Sequence, residues 1–246
     1  MKKHIPNLIT LFNLLSGIIA MVLAVENHLV EAGFFMILGI FFDFFDGFLA
    51  RLLKVQGELG KQLDSLADMV TSGLVPAVVM FQLLRNSLGN WNGDYLIPRM
   101  FFEEGYSYVP FFGFLIALAS AYRLANFNID KKQSSSFIGI PTPANALFIL
   151  SLPLILNYST NDFAIYLIQN TSFLLVITVA GSIMMNANIL LFSLKFTEYS
   201  FRNNAVKYVF IVASISLLIG LHFVAFPLII LLYILTSVVE NMFLKK

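Results

Sequence analysis

The sequence predicts an all-α fold: a polytopic transmembrane helical bundle of about eight spanning helices, with N- and C-termini cytosolic. Three observations carry that prediction. Of 246 residues, 59% are apolar and 12% charged, against roughly 25% charged in ordinary soluble domains, and mean hydropathy is +0.84. Eight segments, near 7–25, 31–51, 64–84, 108–126, 141–157, 167–192, 207–221 and 224–242, are predominantly apolar, and a spanning helix needs about 20 such residues. With a cytosolic N-terminus and eight crossings, the inner side receives Lys2, Lys3, Arg51, Lys54, Lys61, Arg123, Lys131, Lys132, Lys195, Arg202, Lys207, Lys245 and Lys246, and only Arg85 and Arg99 fall outside. Thirteen cations against two is the positive-inside bias, and deleting any one span would scramble it. The chain, 1–246, reads as one integral, multi-pass domain, with the cytoplasmic membrane as its expected location.

The same composition excludes other classes. Fifteen Lys plus Arg against 14 Asp plus Glu leave a net charge of +1, so no basic surface points to nucleic acid. The chain has 26 Phe and no Cys. The first rules out a dispersed, disordered chain, and the second removes disulfides, thiolate nucleophiles and cysteine metal sites.

Taken in order, the first segment follows Met-Lys-Lys-His but is long for a signal-peptide core, and polar Thr10 and Asn13 sit inside it. These two are three apart and share a helical face, where they suit either nucleotide and phosphate contacts or hydrogen bonds between helices. The second and third segments are joined by a short turn around Lys54 to Gly60, which makes them antiparallel neighbours. The segment 85–107 is the longest loop, external in this topology, and its Trp91, Tyr95, Phe101, Phe102 and Tyr106, with Tyr108 beyond, read as interfacial anchors. Lys131 and Lys132 read as solvated loop charges suited to anionic lipid. His4, His28 and His222 are scattered and receive no role, and the Phe-rich stripes read as lipid-facing or packing surface.

Four aspartates interrupt the second and third segments: Asp43 and Asp46, then Asp64 and Asp68. Each would cost about 2.5–3.5 kcal/mol at mid-bilayer if left alone in lipid. Spacings of three and four put each pair on one helical face, so the pairs can face each other across the antiparallel helices. Arg51 lies eight residues beyond Asp43, about 12 Å along a helix, which sets the cluster in the cytosolic half of the membrane, near headgroup depth. Oxygen donors without converging His or Cys suit a hard divalent cation, Mg²⁺ or Mn²⁺, and two such ions balance four carboxylates. Gly47, Ala50 and Gly60 leave room for a bulky ligand near these carboxylates, the plainer alternative being tight helix packing. A buried ion-pair network with Arg51, Lys54 and Lys61 is the alternative for the aspartates.

The run Asp43-x2-Asp46-Gly47-x2-Ala50-Arg51-x8-Gly60-x3-Asp64-x3-Asp68 resembles the signature of the CDP-alcohol phosphatidyltransferase family at all eight fixed positions. The flanks Ile5 to Gly17, Leu63 to Val70, Tyr122 to Asn128 and Gly139 to Ala144 are similar to the branch of that family whose acceptor is serine. Thr71-Ser72-Gly73 departs from the Ser-Phe-Gly-like sequence expected there.

The resemblance implies a reaction in which the phosphatidyl group of CDP-diacylglycerol passes to an alcohol and CMP is released, at a binuclear metal site inside the bundle. It implies that Asp43, Asp46, Asp64 and Asp68 are metal ligands, and that Asp68 is also the base for the acceptor hydroxyl. Gly47, Ala50, Arg51 and Gly60, with Thr10 and Asn13, would contact CDP-diacylglycerol, and Arg123 and Asn126 would hold the serine carboxylate. Arg51 and Arg123 have topology-setting charge as their plainer role. A homodimer among membrane lipids is implied as well. Glycerol 3-phosphate, an inositol compound or choline are the alternative acceptors. An ion-coupled transporter is a distant alternative, since intramembrane carboxylates also mark such proteins.

Overall fold

A computed structural model describes residues 4–89, 108–129, 137–191 and 204–244. The expected anchors from Trp91 to Tyr106, together with Lys131 and Lys132, lie outside the described residues. Ten α-helices are present among the described residues: α1 His4–Val25, α2 Leu29–Leu52, α3 Glu58–Asp68, α4 Val75–Ser87, α5 Leu115–Ile129, α6 Thr142–Tyr158, α7 Asp162–Gln169, α8 Thr171–Asn186, α9 Ala205–Leu221 and α10 Ala225–Leu244. A π-helical turn, Met69–Leu74, joins α3 to α4, and 3₁₀ turns precede α5 and α10. The only strands among the described residues are two-residue pieces, Phe137–Ile138 and Leu190–Leu191, paired antiparallel with Phe137 opposite Leu191.

The helices are inside-out in size and polarity. On α1 the buried face is Pro6, Thr10, Asn13, Ser16, Gly17, Ala20 and Ala24, while Leu8, Leu11, Phe12, Leu15, Ile18 and Val22 are exposed. On α2, Ala32, Gly33, Met36 and Gly39 are buried, and Phe34, Phe41, Phe44, Phe45 and Phe48 face outward. Large apolar side chains gain nothing from leaving lipid, whereas small residues let backbones approach closely, so the small ones form the interface. In contrast α4 is buried on nearly every side from Val75 to Asn86, as befits a helix at the centre of a bundle.

Polar side chains pin the end of the bundle away from the α2–α3 turn. Gln82 donates to the Ala24 and Val25 carbonyls at 3.1 and 2.8 Å, and Asn86 donates to Asn27 Oδ1 at 3.1 Å. The Gln82 amide thus supplies side-chain donors to carbonyls at the end of α1, where intrahelical partners run out. At the opposite end, Gly139 N bonds Ile189 O and Ile140 N bonds Met184 O, at 2.8 and 3.1 Å, stitching the entry to α6 against the end of α8.

By length and apolar composition, five continuous helical runs can cross a membrane: His4–Val25, Leu29–Leu52, Glu58–Ser87, Val109–Ile129 and Ala205–Glu240. The pair α7 and α8, bent by 78°, makes a sixth if taken as one span, and α6, at 17 residues, is a shorter apolar helix. These runs depart from the eight expected segments for identifiable reasons. The third run begins at Glu58 because its first turns are amphipathic rather than apolar. The segment expected at 167–192 is interrupted at Asn170, which both terminates α7 and caps α8 by accepting from Phe173 N at 3.0 Å, and its helix stops at Asn186. The last run, by contrast, folds back at His222, whose φ is +47°, so that α9 and α10 answer the two segments expected at 207–221 and 224–242. The rings of Phe210 and Tyr233 are 5.8 Å apart, an approach that a straight helix with 1.5 Å rise per residue forbids over that separation.

Close backbone contact at Gly113 gives a test of this packing. A Cβ there would lie 2.7 Å from Phe81 N and 3.0 Å from Ala77 O, both main-chain atoms of α4. Gly113→Ala should therefore force the turn before α5 away from α4 and destabilise the fold by roughly 1–3 kcal/mol, as overpacking does. Thermal unfolding in detergent reads this, and an unchanged Tm would show that the two segments are not locked together.

Candidate active site

The α2–α3 hairpin brings three of the four aspartates to one point. Carboxylate oxygens of Asp43, Asp46 and Asp64 all lie within 4.8 Å of one another. Oxygens ligating one hard cation at about 2.0–2.6 Å fall within about 5 Å of each other, so this donor set fits a divalent ion. Asp68 stands one turn deeper, and the Asp43 carboxyl is within hydrogen-bonding reach of both Asp64 and Asp68.

The first helix supplies the third wall. The Thr10 hydroxyl donates to Asp46 Oδ2 at 2.5 Å and is also 3.1 Å from the Pro6 carbonyl. Asn13 Nδ2 lies 3.4 Å from Asp68 Oδ1. Both residues are buried. Both therefore make the interhelical bonds foreseen as the alternative to ligand contact, though Thr10 also reaches the adjoining cavity. Asn13 does not line that cavity and faces Asp68 instead.

The cavity measures about 470 Å³ and is bounded by Pro6, Asn7 and Thr10 of α1, Asp46, Gly47, Ala50 and Arg51 of α2, the turn Val55 to Gly57, and Glu58, Gly60, Lys61 and Asp64 of α3. That volume suits a ligand of small-molecule size. Gly47 and Gly60 border it for want of a side chain. A Cβ at Gly47 would meet only Arg51 Nη2, at 4.0 Å, and one at Gly60 only Asn7 Oδ1, at 3.4 Å. Neither glycine is therefore required for helix packing. Gly39 is, since a Cβ there would come within 2.7 Å of Thr71 Cγ2 and 3.0 Å of Asn13 Oδ1.

The cations do not assemble into the ion-pair network that the alternative reading required. The Lys61 ammonium donates to the Asn128 carbonyl at 2.6 Å, and Arg51 is exposed with its guanidinium beside Gly47. Arg123 and Asn126 are not brought to the cavity lining. Arg123 is half-buried and its Nη1 donates to the Met185 carbonyl at 2.5 Å, while Asn126 is exposed.

Several residues of the site were missed by sequence reasoning. Ser65 and Asn128 exchange hydrogen bonds at 3.1 and 2.9 Å, which with Lys61 tie α3 to the end of α5. Thr71 donates to Asn13 Oδ1 at 2.8 Å. The available signal was its spacing: Thr71 follows Asp68 by three, on the same helical face.

Fold and site together define a helical membrane protein with a carboxylate-lined cation site open to a ligand cavity. The CDP-alcohol phosphatidyltransferase family profile matches residues 3–184, and the chain belongs to that family, a family of transferases. It is 30% identical over 180 residues to the CDP-diacylglycerol–serine O-phosphatidyltransferase of Bacillus subtilis, covering 70% of this chain and 90% of that protein. It is 28% identical over 159 residues to the archaetidylserine synthase of Methanothermobacter thermautotrophicus, 63% of this chain and 60% of the relative. With the CDP-diacylglycerol–serine O-phosphatidyltransferase of Methanocaldococcus jannaschii it shares 26% identity over 220 residues, 89% and 86% of the two chains.

The open space at Gly47 generates a prediction. Gly47→Leu should leave Tm within a few degrees of wild type, because a Cβ there meets no packed neighbour, and should weaken nucleotide binding at least tenfold by filling the cavity. Isothermal titration with CDP in the presence of Mn²⁺ measures the second quantity. Unchanged CDP affinity would remove Gly47 from the ligand site.

Proposed function

We propose that the protein transfers the phosphatidyl group of CDP-diacylglycerol to the hydroxyl of L-serine, giving phosphatidylserine and CMP, from a site in the cytosolic half of the cytoplasmic membrane. The observation that carries this reading is the convergence of Asp43, Asp46 and Asp64 beside a cavity bordered by Gly47, Ala50, Arg51 and Gly60. The names of the relatives support serine as the acceptor.

In this reading Asp43, Asp46, Asp64 and Asp68 hold two divalent cations, Mg²⁺ or Mn²⁺. When bound, these supply neutralisation of the pyrophosphate charge and polarisation of the bond to the leaving group. Thr10 fixes the Asp46 carboxylate. Gly47, Ala50 and Gly60 give the nucleotide room, and Arg51, beside Gly47, meets phosphate with paired N–H donors. Asp68 accepts the proton of the serine hydroxyl as that oxygen attacks the phosphatidyl phosphorus. The bond from that phosphorus to the bridging oxygen breaks, and CMP leaves with the oxygen and the electron pair. Arg123, with Asn126 one turn on, is assigned to the serine carboxylate on sequence grounds alone, since neither lines the cavity. Eight crossings, cytosolic termini and a homodimer complete the proposal, the charge distribution supporting the first two.

The direct test is purified protein in detergent with CDP-diacylglycerol and Mn²⁺ or Mg²⁺, offered serine, glycerol 3-phosphate, inositol compounds and choline in separate reactions. Serine-dependent release of CMP with phosphatidylserine as product is expected, and transfer to another alcohol alone would overturn the acceptor. Exhaustive chelation should abolish turnover and added Mn²⁺ restore it, while full activity in chelator would refute the metal requirement. Asp43→Asn, Asp46→Asn and Asp64→Asn should each lower kcat by roughly 100-fold or more, beyond the usual cost of losing a residue that merely supports a ligand. Circular dichroism should show folded protein in each case.

A separate measurement addresses the acceptor. Arg123→Lys keeps the positive charge but loses the planar fork that matches a carboxylate. The serine KM should rise at least about fivefold with the CDP-diacylglycerol KM within twofold. An equal rise in both would make Arg123 a brace between α5 and α8 through the Met185 carbonyl.

A further inference from the structure

The helix that carries Asp64 and Asp68 changes its winding directly after Asp68. Met69–Leu74 forms a π-helical turn between α3 and α4, a rare interruption that re-aims the side chains it carries. Thr71, at the centre of that turn, is fully buried. Its methyl group and hydroxyl occupy a socket left by two glycines of other helices: a Cβ at Gly39 of α2 would lie 2.7 Å from Thr71 Cγ2, and one at Gly17 of α1 would collide with Thr71 Oγ1. The hydroxyl donates to Asn13 Oδ1 at 2.8 Å and is 3.3 Å from the Asn13 main-chain oxygen.

Asn13 is fully buried too, and its other amide atom, Nδ2, faces Asp68 Oδ1 at 3.4 Å. A carboxamide has one accepting and one donating end. With Thr71 bonded to the accepting end, the donating end is directed at Asp68. Without that hydroxyl, Asn13 Oδ1 would be buried with no side-chain donor, and a rotated amide would set oxygen against the Asp68 carboxylate.

We infer that Thr71 is a positioning residue for Asp68: through the Asn13 amide it fixes the direction in which the Asp68 carboxylate faces Asp43. This rests on the reading that Asp68 serves metal binding and phosphatidyl transfer. Thr71 itself touches neither substrate nor the reacting atoms.

Two substitutions in the full-length protein separate positioning from packing. Thr71→Val keeps the branched shape that fills the glycine socket and removes the hydroxyl. Thr71→Ser keeps the hydroxyl and removes the methyl. Positioning predicts that Thr71→Val lowers kcat at least tenfold, with both KM values within twofold and Tm near wild type, and that Thr71→Ser restores most of kcat despite a lower Tm. A packing role predicts the inverse pattern. Asn13→Ala combined with Thr71→Val should be no slower than Asn13→Ala alone, because both act on one carboxylate. Mn²⁺ affinity measured without any substrate should fall at least threefold in Thr71→Val and not in Thr71→Ser. Wild-type kcat and Mn²⁺ affinity in Thr71→Val would overturn the inference, as would equal losses in both variants accompanied by equal falls in Tm. If the wild-type protein transfers phosphatidyl groups to no acceptor, the transfer reading fails, and the two Mn²⁺ affinities still decide the role of Thr71.

Discussion

Four carboxylates in the membrane-embedded part of one hairpin are the constraint on which the arrangement of this protein depends. Carried singly into hydrocarbon, each would be opposed by about 2.5–3.5 kcal/mol. They are tolerable only where charge can be compensated collectively, and that requires α2 and α3 to lie antiparallel with their acidic faces together. The short turn between Leu52 and Glu58 enforces this. Because the acidic faces point inward, the remaining surface of α2 is left to phenylalanines, with Phe41, Phe44, Phe45 and Phe48 all exposed. The Phe-Phe-Asp-Phe-Phe-Asp run is thus one pattern with two solvents: carboxylates toward the bundle, rings toward lipid.

That arrangement leaves the carboxylates short of donors on the side of α1, and α1 answers with a polar stripe of small residues. Thr10 and Asn13 each take one aspartate, Asp46 and Asp68. Smallness matters as much as polarity. Gly17 on α1 and Gly39 on α2 admit Thr71 from a third helix, so three backbones meet around one side chain. A membrane bundle lacks the hydrophobic drive that assembles soluble cores, and association falls to such close packing and interhelical hydrogen bonds. The site is therefore also the structural junction of α1, α2 and the α3–α4 rod, and the residues that set its geometry are the ones that hold the helices together. Gly47 and Gly60 stand apart from this junction, with open space where a side chain would be. Small residues in this chain serve packing on one side of the aspartates and ligand room on the other.

Much of this was legible in the sequence because it depends on local periodicity. Spacings of three and four placed Asp43 with Asp46 and Asp64 with Asp68 on common faces, and the short turn between the helices made the two faces opposed. What escaped has a common character: each feature arises from a choice between local geometries of similar energy that tertiary contacts decide. The π-helical turn after Asp68 shows in no hydropathy pattern, since Met69 to Leu74 reads equally well as α-helix, and the packing of Thr71 against Gly17 and Gly39 is a contact between distant segments. The bend at Asn170 escaped because the polar run Gln169 to Ser172 was absorbed into a longer apolar segment, although Asn170 before Thr171 is a helix-capping pattern. Glu58 to Leu63 escaped for the opposite reason, because hydropathy reports where a chain is apolar and not where its helix begins. Arg123 shows the limit of face-sharing itself. Its spacing to Asn126 is helical, yet its Nη1 is directed at the Met185 carbonyl by the packing of α5 on α8.

The open mouth of the cavity follows from the position of the carboxylates along the chain. Asp46 sits six residues before the end of α2 and Asp64 six residues after the start of α3, under two turns each, so the cluster lies near the hairpin tip, where the helices have little bundle left above them. Lys61 and Arg51 stand at that rim, where long cationic side chains can remain hydrated. In the proposed reaction the substrate has a charged headgroup and apolar tails, and the hairpin offers both surfaces, aspartates at the cavity and exposed phenylalanines on the outer face of α2. A midplane site would require the charged portion to cross hydrocarbon first. The closeness of the carboxylates to the turn, six residues on either helix, is thus what makes the proposed amphiphilic substrate compatible with this hairpin.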